Sequence, residues 1–319
     1  MQSSVELPRT ESRHSFFLNP RFPQDMEREV VSFLSTHDKV ALASSATGTR
    51  ALAAPEIQLD RLCLLVVQGK QDLADELLAS NSPAIQKLML RTNTFKDPAG
   101  RVFTCSAPEY AYWALDTNMC KMLFAHMDAC GQAVTLARCS KIKTLGLTYK
   151  QNGFTFRQSK HFDFTRIICA LEKYTIIYEP CCKSKSWTAI RSAWLAIGRA
   201  QCDLPDHVIH EYCRSDRSFY YRRAADDEHL PRESGFLDCR IGEIIELLPR
   251  KVGLGVDFAI NRGILGIATN GQLAGLGSPT SWLINIDLIA MRRLSDLRLD
   301  DRLDLERILA PHESFNLNC

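Results

Sequence analysis

Residues 66–81 read VVQGKQDLADELLASN, and this stretch decides the first reading of the fold. Just upstream, Leu62, Leu65 and Val66 fall on one face at helical spacing, and Gly69 ends that helix. Gly69-Lys70 makes a tight turn. The next segment, QDLADELLAS, places Leu73, Leu77 and Leu78 on an inward face before Asn81-Ser82-Pro83 stops it. Two short antiparallel helices joined through a glycine form a hairpin that cannot bury its apolar face alone.

A related pattern returns downstream. Asp97-Pro98-Ala99-Gly100 is a turn with Pro at its second position and Gly100 free to take a positive φ. Ser106 with Glu109 three residues on is a capping box. The helix PEYAYWALD follows, with Tyr110, Trp113 and Ala114 or Leu115 inward. Asp116-Thr117-Asn118 breaks it, and Met119, Met122 and Leu123 carry a second helix. Gly69 and Asp116 are 47 positions apart, against an ankyrin period of about 33, so the second unit carries an insertion.

The run VVQGKQDLADELLASN…TFKDPAGRVFTCSAPEYAYWALDTNMCKMLFAHMD resembles ankyrin-type sequence. More narrowly it resembles the ankyrin-like type IV (Dot/Icm) effectors that Legionella-type intracellular bacteria inject into host cells. A second stretch, IGRAQCDLPDHVIHEYCRSDRSFYYRR…HLPRESGF, resembles the same group. The resemblance implies a protein-interaction scaffold, made in the bacterial cytoplasm and then secreted into the host cell, with a host protein as partner. Glu306, Glu313 and Leu317 are compatible with the loose C-terminal export signal of such effectors. The chain departs from a true ankyrin array in having two recognisable units, where three or more are needed for a stable stack.

Beyond residue 130 the pattern changes. LTYKQNGFTF sets β-prone residues around Asn152-Gly153, a strong hairpin signal. Asp163 caps a helix FTRIICALEKY that buries Ile167, Ile168 and Leu171, and Ser186 caps another with Trp187, Ile190, Trp194 and Ile197 at helical spacing. Leu204-Pro205 interrupts it before DHVIHEYC. Residues 214–240 read as a long irregular connection, GEIIELL as a short helix, and residues 281–294 and 302–309 as two final helices with Leu283, Ile286 and Leu294 in the core. The expected fold is therefore mainly α: divergent ankyrin-like helical hairpins, then a helical region with one β-hairpin. The expected parts are a tail over 1–20, an ankyrin-like part over 21–130 and a hairpin-plus-helices part over 131–319 ending in a tail at 310–319.

Bulk properties narrow the function classes. Lys+Arg number 39 and Asp+Glu 37, so there is no bulk attraction to nucleic acid or anionic membrane. No apolar run approaches the roughly 20 residues that span a bilayer, and the polar N-terminus lacks the apolar core of a secretory signal. Twelve cysteines lie largely inside apolar stretches such as RLCLLVV and RIICAL, which points to reduced core thiols in a cytoplasmic setting.

The densest reactive cluster is Cys202, Asp203, Asp206, His207, His210, Glu211 and Cys213. His207 and His210 share a helical face, but Cys213 lies about 240° round the axis from His207. No metal and no cofactor is expected. Cys202 with His207 or His210 forms the candidate set for a Cys/His-dependent enzyme modifying a host protein, the alternative to a scaffold without catalysis. No Gly-x-Ser-x-Gly, His-Glu-x-x-His or Walker loop occurs. Arg214, Arg217, Tyr220, Tyr221, Arg222 and Arg223 form the candidate binding patch, suited to an acidic or phosphorylated ligand such as a phosphoinositide or RNA. Asp226, Asp227 and Glu228 follow closely, and an internally neutralised loop is the competing reading.

Overall fold

The structure, a computed structural model, describes residues 24–45, 47–79, 83–217, 228–248, 251–263, 267–271 and 279–309. The expected tails over 1–20 and 310–319 lie outside these. The chain forms two compact units, Met1–Arg61 and Leu62–Cys319.

The first unit holds α1 (Gln24–Ser32), α2 (Thr36–Ser45) and the start of α3 (Thr47–Val67), which runs on into the second. Lys39 is buried, and its ammonium donates to Asp60 at 3.0 and 3.2 Å. A buried lysine needs such a partner.

The second unit continues with α4 (Gln71–Ala79), α5 (Pro83–Leu90), β1 (Asn93–Lys96), β2 (Val102–Cys105), α6 (Ala107–Trp113), α7 (Thr117–Ala125) and α8 (Ala129–Leu145). Then come β3 (Leu147–Gln151), β4 (Phe154–Ser159), α9 (Thr165–Lys183), α10 (Trp187–Cys202), α11 (Asp206–Cys213), β5 (Gly235–Asp238), β6 (Glu243–Glu246) and α12 (Ser281–Leu309).

The expectation of a mainly α chain with one hairpin is corrected by two sheets, and the fold is mixed α/β. β1 to β4 form one antiparallel sheet in chain order, and β5 and β6 form a second antiparallel pair. The Asn152-Gly153 hairpin is present, with φ of 51° and 82° at its two turn residues. But β3 also pairs with β2, through Val102↔Lys150 and Phe103↔Tyr149. The turn at 97–100 thus joins two strands, and what reads in sequence as an insertion between helix pairs is half of a sheet. GEIIELL, read as a helix, contains β6, and the two expected C-terminal helices are the single α12.

The core follows from this arrangement. Phe103 on β2 lies against Tyr110 and Trp113 of α6, with ring centroids 5.2 and 4.8 Å apart, and against Tyr149 of β3 at 5.1 Å. Arg101 is buried above Trp113 and paired with Asp97 at 2.7 Å. The capping box forms, Ser106 N donating to Glu109 Oε2 at 2.8 Å. α9 packs between α10 and α12, and α12 also reaches α7 and α8. Two residues expected inward face outward: Leu73 is 37% exposed, because α4 buries Gln71, Ala74 and Leu78, and Trp187 is 59% exposed at the first turn of α10.

A buried charged hub beside an open cleft

Pro205 ends the chain's path from α10 and sets up α11, all eight residues of which are buried. Four of these residues carry ionisable acid or imidazole groups: Asp206, His207, His210 and Glu211. A buried polar helix must meet most of its hydrogen-bonding needs within the protein.

The hub of that satisfaction is Arg232. Its guanidinium grips Asp116 with both terminal nitrogens, at 2.7 and 2.8 Å. It also donates to Glu228 at 2.8 Å, to the Gly69 carbonyl at 3.0 Å and to Gln71 Oε1 at 3.0 Å. A planar five-donor fork suits such a crossing of chain segments, as a lysine would not. Asp116 additionally caps α7 by accepting from Met119 N at 3.2 Å. Burial pushes its pKa up, but Arg232, with His207 and Arg298, holds it well below the ordinary carboxylate range. Gly69 is required where it stands: its φ is +65°, and a Cβ would meet His207 N at 3.1 Å. The turn quoted from the sequence therefore lets the backbone approach both α11 and Arg232.

The two histidines are kept neutral. Burial lowers the pKa of His207 to about 3 and depresses that of His210 as well. His210 sits 2.7 Å from the Glu233 carbonyl through Nδ1 and 3.3 Å from the Gln68 carbonyl through Nε2. A neutral ring has one N–H, and the shorter contact places it on Nδ1. His207 Nε2 is buried without a hydrogen-bond partner. The ring borders a void of about 10 Å³, at the lower limit for one water molecule.

Asp206 behaves differently. It is 1% exposed, and its carboxylate is paired with the buried ammonium of Lys251. Lys251 Nζ stands 3.2 Å from Oδ1 and also donates to the Leu204 carbonyl at 2.8 Å. Burial raises the Asp206 pKa to about 6, against the pull of Lys251. Asp206 and His210 are among the residues that line a cleft of about 210 Å³, with Gln68, Lys70, Glu246 and Leu248, although the Asp206 carboxylate itself is sealed.

The structure separates the sequence candidates. Cys202 does not join the histidines: its thiol points at the Leu254 carbonyl, 3.3 Å away, and burial raises its pKa. Cys213 is pushed up to about 12 by burial. Thiols shifted upward are poorer nucleophiles at neutral pH. Arg214 is bound to Asp216 at 2.5 and 2.7 Å, and Arg217 to Glu211 at 2.7 and 2.8 Å. Tyr220, Tyr221, Arg222 and Arg223 lie outside the described residues. No group of three or more His, Cys, Asp or Glu side chains among the described residues is arranged to hold a metal ion. Arg232 and Lys251 were not singled out from the sequence, and Asp116 was read there only as a helix break. The partners of Arg232 span residues 69 to 228, and no local pattern connects them.

Comparison with known proteins places this hub in a family. Residues 166–309, which carry α9 to α12, match the CBUA0006 C-terminal domain. Over 262 residues the chain is 31% identical to the uncharacterized protein CBUA0006 of Coxiella burnetii (strain RSA 493 / Nine Mile phase I), covering 77% of this chain and 74% of that protein. The chain belongs to the CBUA0006 family. No solved structure matches it. Arg232, Asp206, His207 and His210 fall inside the stretch matched by the CBUA0006 C-terminal domain, whereas Asp116, Gly69 and Gln71 lie before it. The Arg232 fork thus ties the family domain to the preceding helical hairpins. Among the described residues, no helix is long and apolar enough to cross a membrane.

Proposed function

We propose that this protein is an interaction scaffold that captures an extended segment of a partner protein along β4. The observation that carries the reading is the edge strand itself. β4 ends the four-stranded sheet, five of its six residues are exposed, and it displays Phe154 at 70% and Phe156 at 43% exposure. Open edges are a liability that proteins blunt with charge, proline or cover, and an exposed aromatic edge is suited to strand addition. Phe156 is braced from below by Tyr149, stacked at 4.9 Å.

The wider reading is a bacterial effector delivered to a host cell, where the partner is a host protein. The sequence resemblance and a relative in Coxiella burnetii support it. A photocrosslinking residue at position 154 is expected to give a discrete adduct in host lysate. The same residue at exposed Ile176 on α9 serves as control. The Phe156→Lys change should abolish the adduct while costing no more than the about 0.5–1.5 kcal/mol of its stacking on Tyr149. Equal labelling from both positions, or none from 154, overturns the strand-addition reading. A translocation reporter fused to the chain tests delivery, and a signal that persists when the bacterial secretion system is disabled overturns that part.

A further inference from the structure

β4 lies in a stretch of one charge sign. Between Asp128 and Asp163 there is no acidic residue, against six basic ones: Arg138, Lys141, Lys143, Lys150, Arg157 and Lys160. Over the whole chain the two signs nearly balance, 39 to 37, so this excess is local. Arg138 and Lys143 are engaged, with the Leu90 carbonyl and with Glu306. Lys150, Arg157 and Lys160 are exposed and make no ion pair among the described residues.

Alternation along the strands sorts the side chains onto two faces. Phe154, Phe156 and Tyr149 share the face of buried Phe103, since Phe103 pairs with Tyr149 and Tyr149 with Phe156. The other face carries Lys96, Val102, Lys150 and Thr155 in one row across the four strands, joined by Lys96↔Val102, Val102↔Lys150 and Lys150↔Thr155. Arg157 follows Thr155 on that face. Asp203 reaches the sheet through Gln151, on the aromatic side, and is already paired with Arg166.

We propose that the segment captured along β4 is acidic, with carboxylates on alternate residues facing Lys150 and Arg157 and apolar residues between them packing on Phe154 and Phe156. This rests on strand addition at β4. An added strand has the same period of two as its host, so its successive residues reach opposite faces. Opposite charges on paired strands stabilise, and like charges destabilise. The cations therefore bar β4 of a second copy, which would gather two cation sets along one sheet face, and select an acidic occupant. The register shift beside Leu147 and Tyr149 and the φ of 58° at Gln158 end the regular edge. The contact thus centres on Phe154 to Arg157.

Fluorescence anisotropy on the full chain tests this with labelled peptides and an RNA. The acidic probe is Thr-Glu-Val-Glu-Val-Glu-Thr. Two others replace each glutamate by glutamine or by lysine, and a third is the acidic peptide with its backbone N-methylated. The RNA is an oligouridine of similar length. Saturable binding of the acidic peptide is expected, about 10-fold or more tighter than that of the glutamine peptide. It should weaken in about 1 M salt, where the screening length is about 3 Å. Lys150→Glu combined with Arg157→Glu should invert the preference toward the lysine peptide, and both positions are exposed, so folding should survive. Equal binding of acidic and glutamine peptides, no binding of either, an unchanged preference in the double variant, or tighter binding of the RNA overturns the proposal. A discrete crosslink from position 154 alongside any of these leaves strand addition standing. Equal binding of the N-methylated peptide overturns strand addition itself, and the proposal with it.

Discussion

Asp116 and Asp206 are both buried carboxylates in the same unit, and they have met opposite fates. Asp116 is gripped by a bidentate arginine and a backbone amide. Asp206 has only the ammonium of Lys251, 3.2 Å away and shared with the Leu204 carbonyl. Burial costs both of them; what differs is repayment. Asp116 stays ionised far below the ordinary range, whereas Asp206 is pushed up to about 6. One is a structural rivet, and the other is a buried acid compensated by a single shared lysine. A fully bonded network makes a fold specific, and a sparsely bonded one leaves part of the burial cost unrepaid.

The largest expected effect breaks the rivet. Arg232→Met removes the cation from four partners and leaves Asp116 buried and unpaired. A loss of about 3–5 kcal/mol is expected, read as a lowered urea midpoint. A loss below about 1 kcal/mol would show that solvent reaches Asp116. Next, a double-mutant cycle of Arg232→Met with Asp116→Asn should give a coupling of up to about 3 kcal/mol, measured by the same unfolding. Additive behaviour would mean the two act separately.

The comparison sharpens with pH. His207, with its folded pKa lowered to about 3, binds fewer protons folded than unfolded below about 6.5. Its contribution to stability is therefore lost as pH falls from there. Asp116 adds to that acid loss below about 3.9, since its folded pKa lies lower still. Asp206 runs the other way: folded pKa above unfolded, so its contribution is present at low pH and lost as pH rises through about 6. Asp206→Asn should thus steepen the rise of stability between about pH 4 and 6, followed by chemical unfolding at several pH values. A flatter profile in the variant contradicts the assignment. The smallest effect is expected at Cys202→Ser, which keeps a donor toward the Leu254 carbonyl. A change within about 0.5 kcal/mol is expected, with no change in labelling by a thiol-directed probe at neutral pH beyond that of a single half-buried thiol.

What the sequence disclosed follows from how local each signal is. The turns at Gly69, Asp97–Gly100 and Asn152-Gly153, and the Ser106–Glu109 cap, depend on residues within a few positions of one another, and all are where the sequence puts them. β1 and β2 were missed because four-residue strands barely display a period of two, and the pairing that makes them a sheet lies about 45 residues on, at Lys150 and Tyr149. GEIIELL carries apolar residues spaced as suitably for a helix turn as for a strand, and its pairing with Gly235–Asp238 decided the matter. The candidate site was half visible. His207 and His210 stood out as reactive types on one face, but their neutrality comes from burial, which no short motif encodes. Arg232 pairs with Asp116 across 116 positions. Complementary charges at that separation are indistinguishable, in one sequence, from many other pairs.

The far end of α12 closes on the middle of the chain: Tyr112 donates to Glu306 at 2.5 Å, Lys143 binds the same carboxylate at 2.6 Å, and Arg302 lies over the Tyr112 ring. Tyr112 leaves the peptidyl transferase centre 194 residues before its partner, a delay of about 10–40 s at ordinary elongation rates. During that interval α6 to α8 wait with one face uncovered. A nascent chain in this condition is a substrate for holding chaperones, and a ribosome stalled before residue 302 should leave it in their grasp.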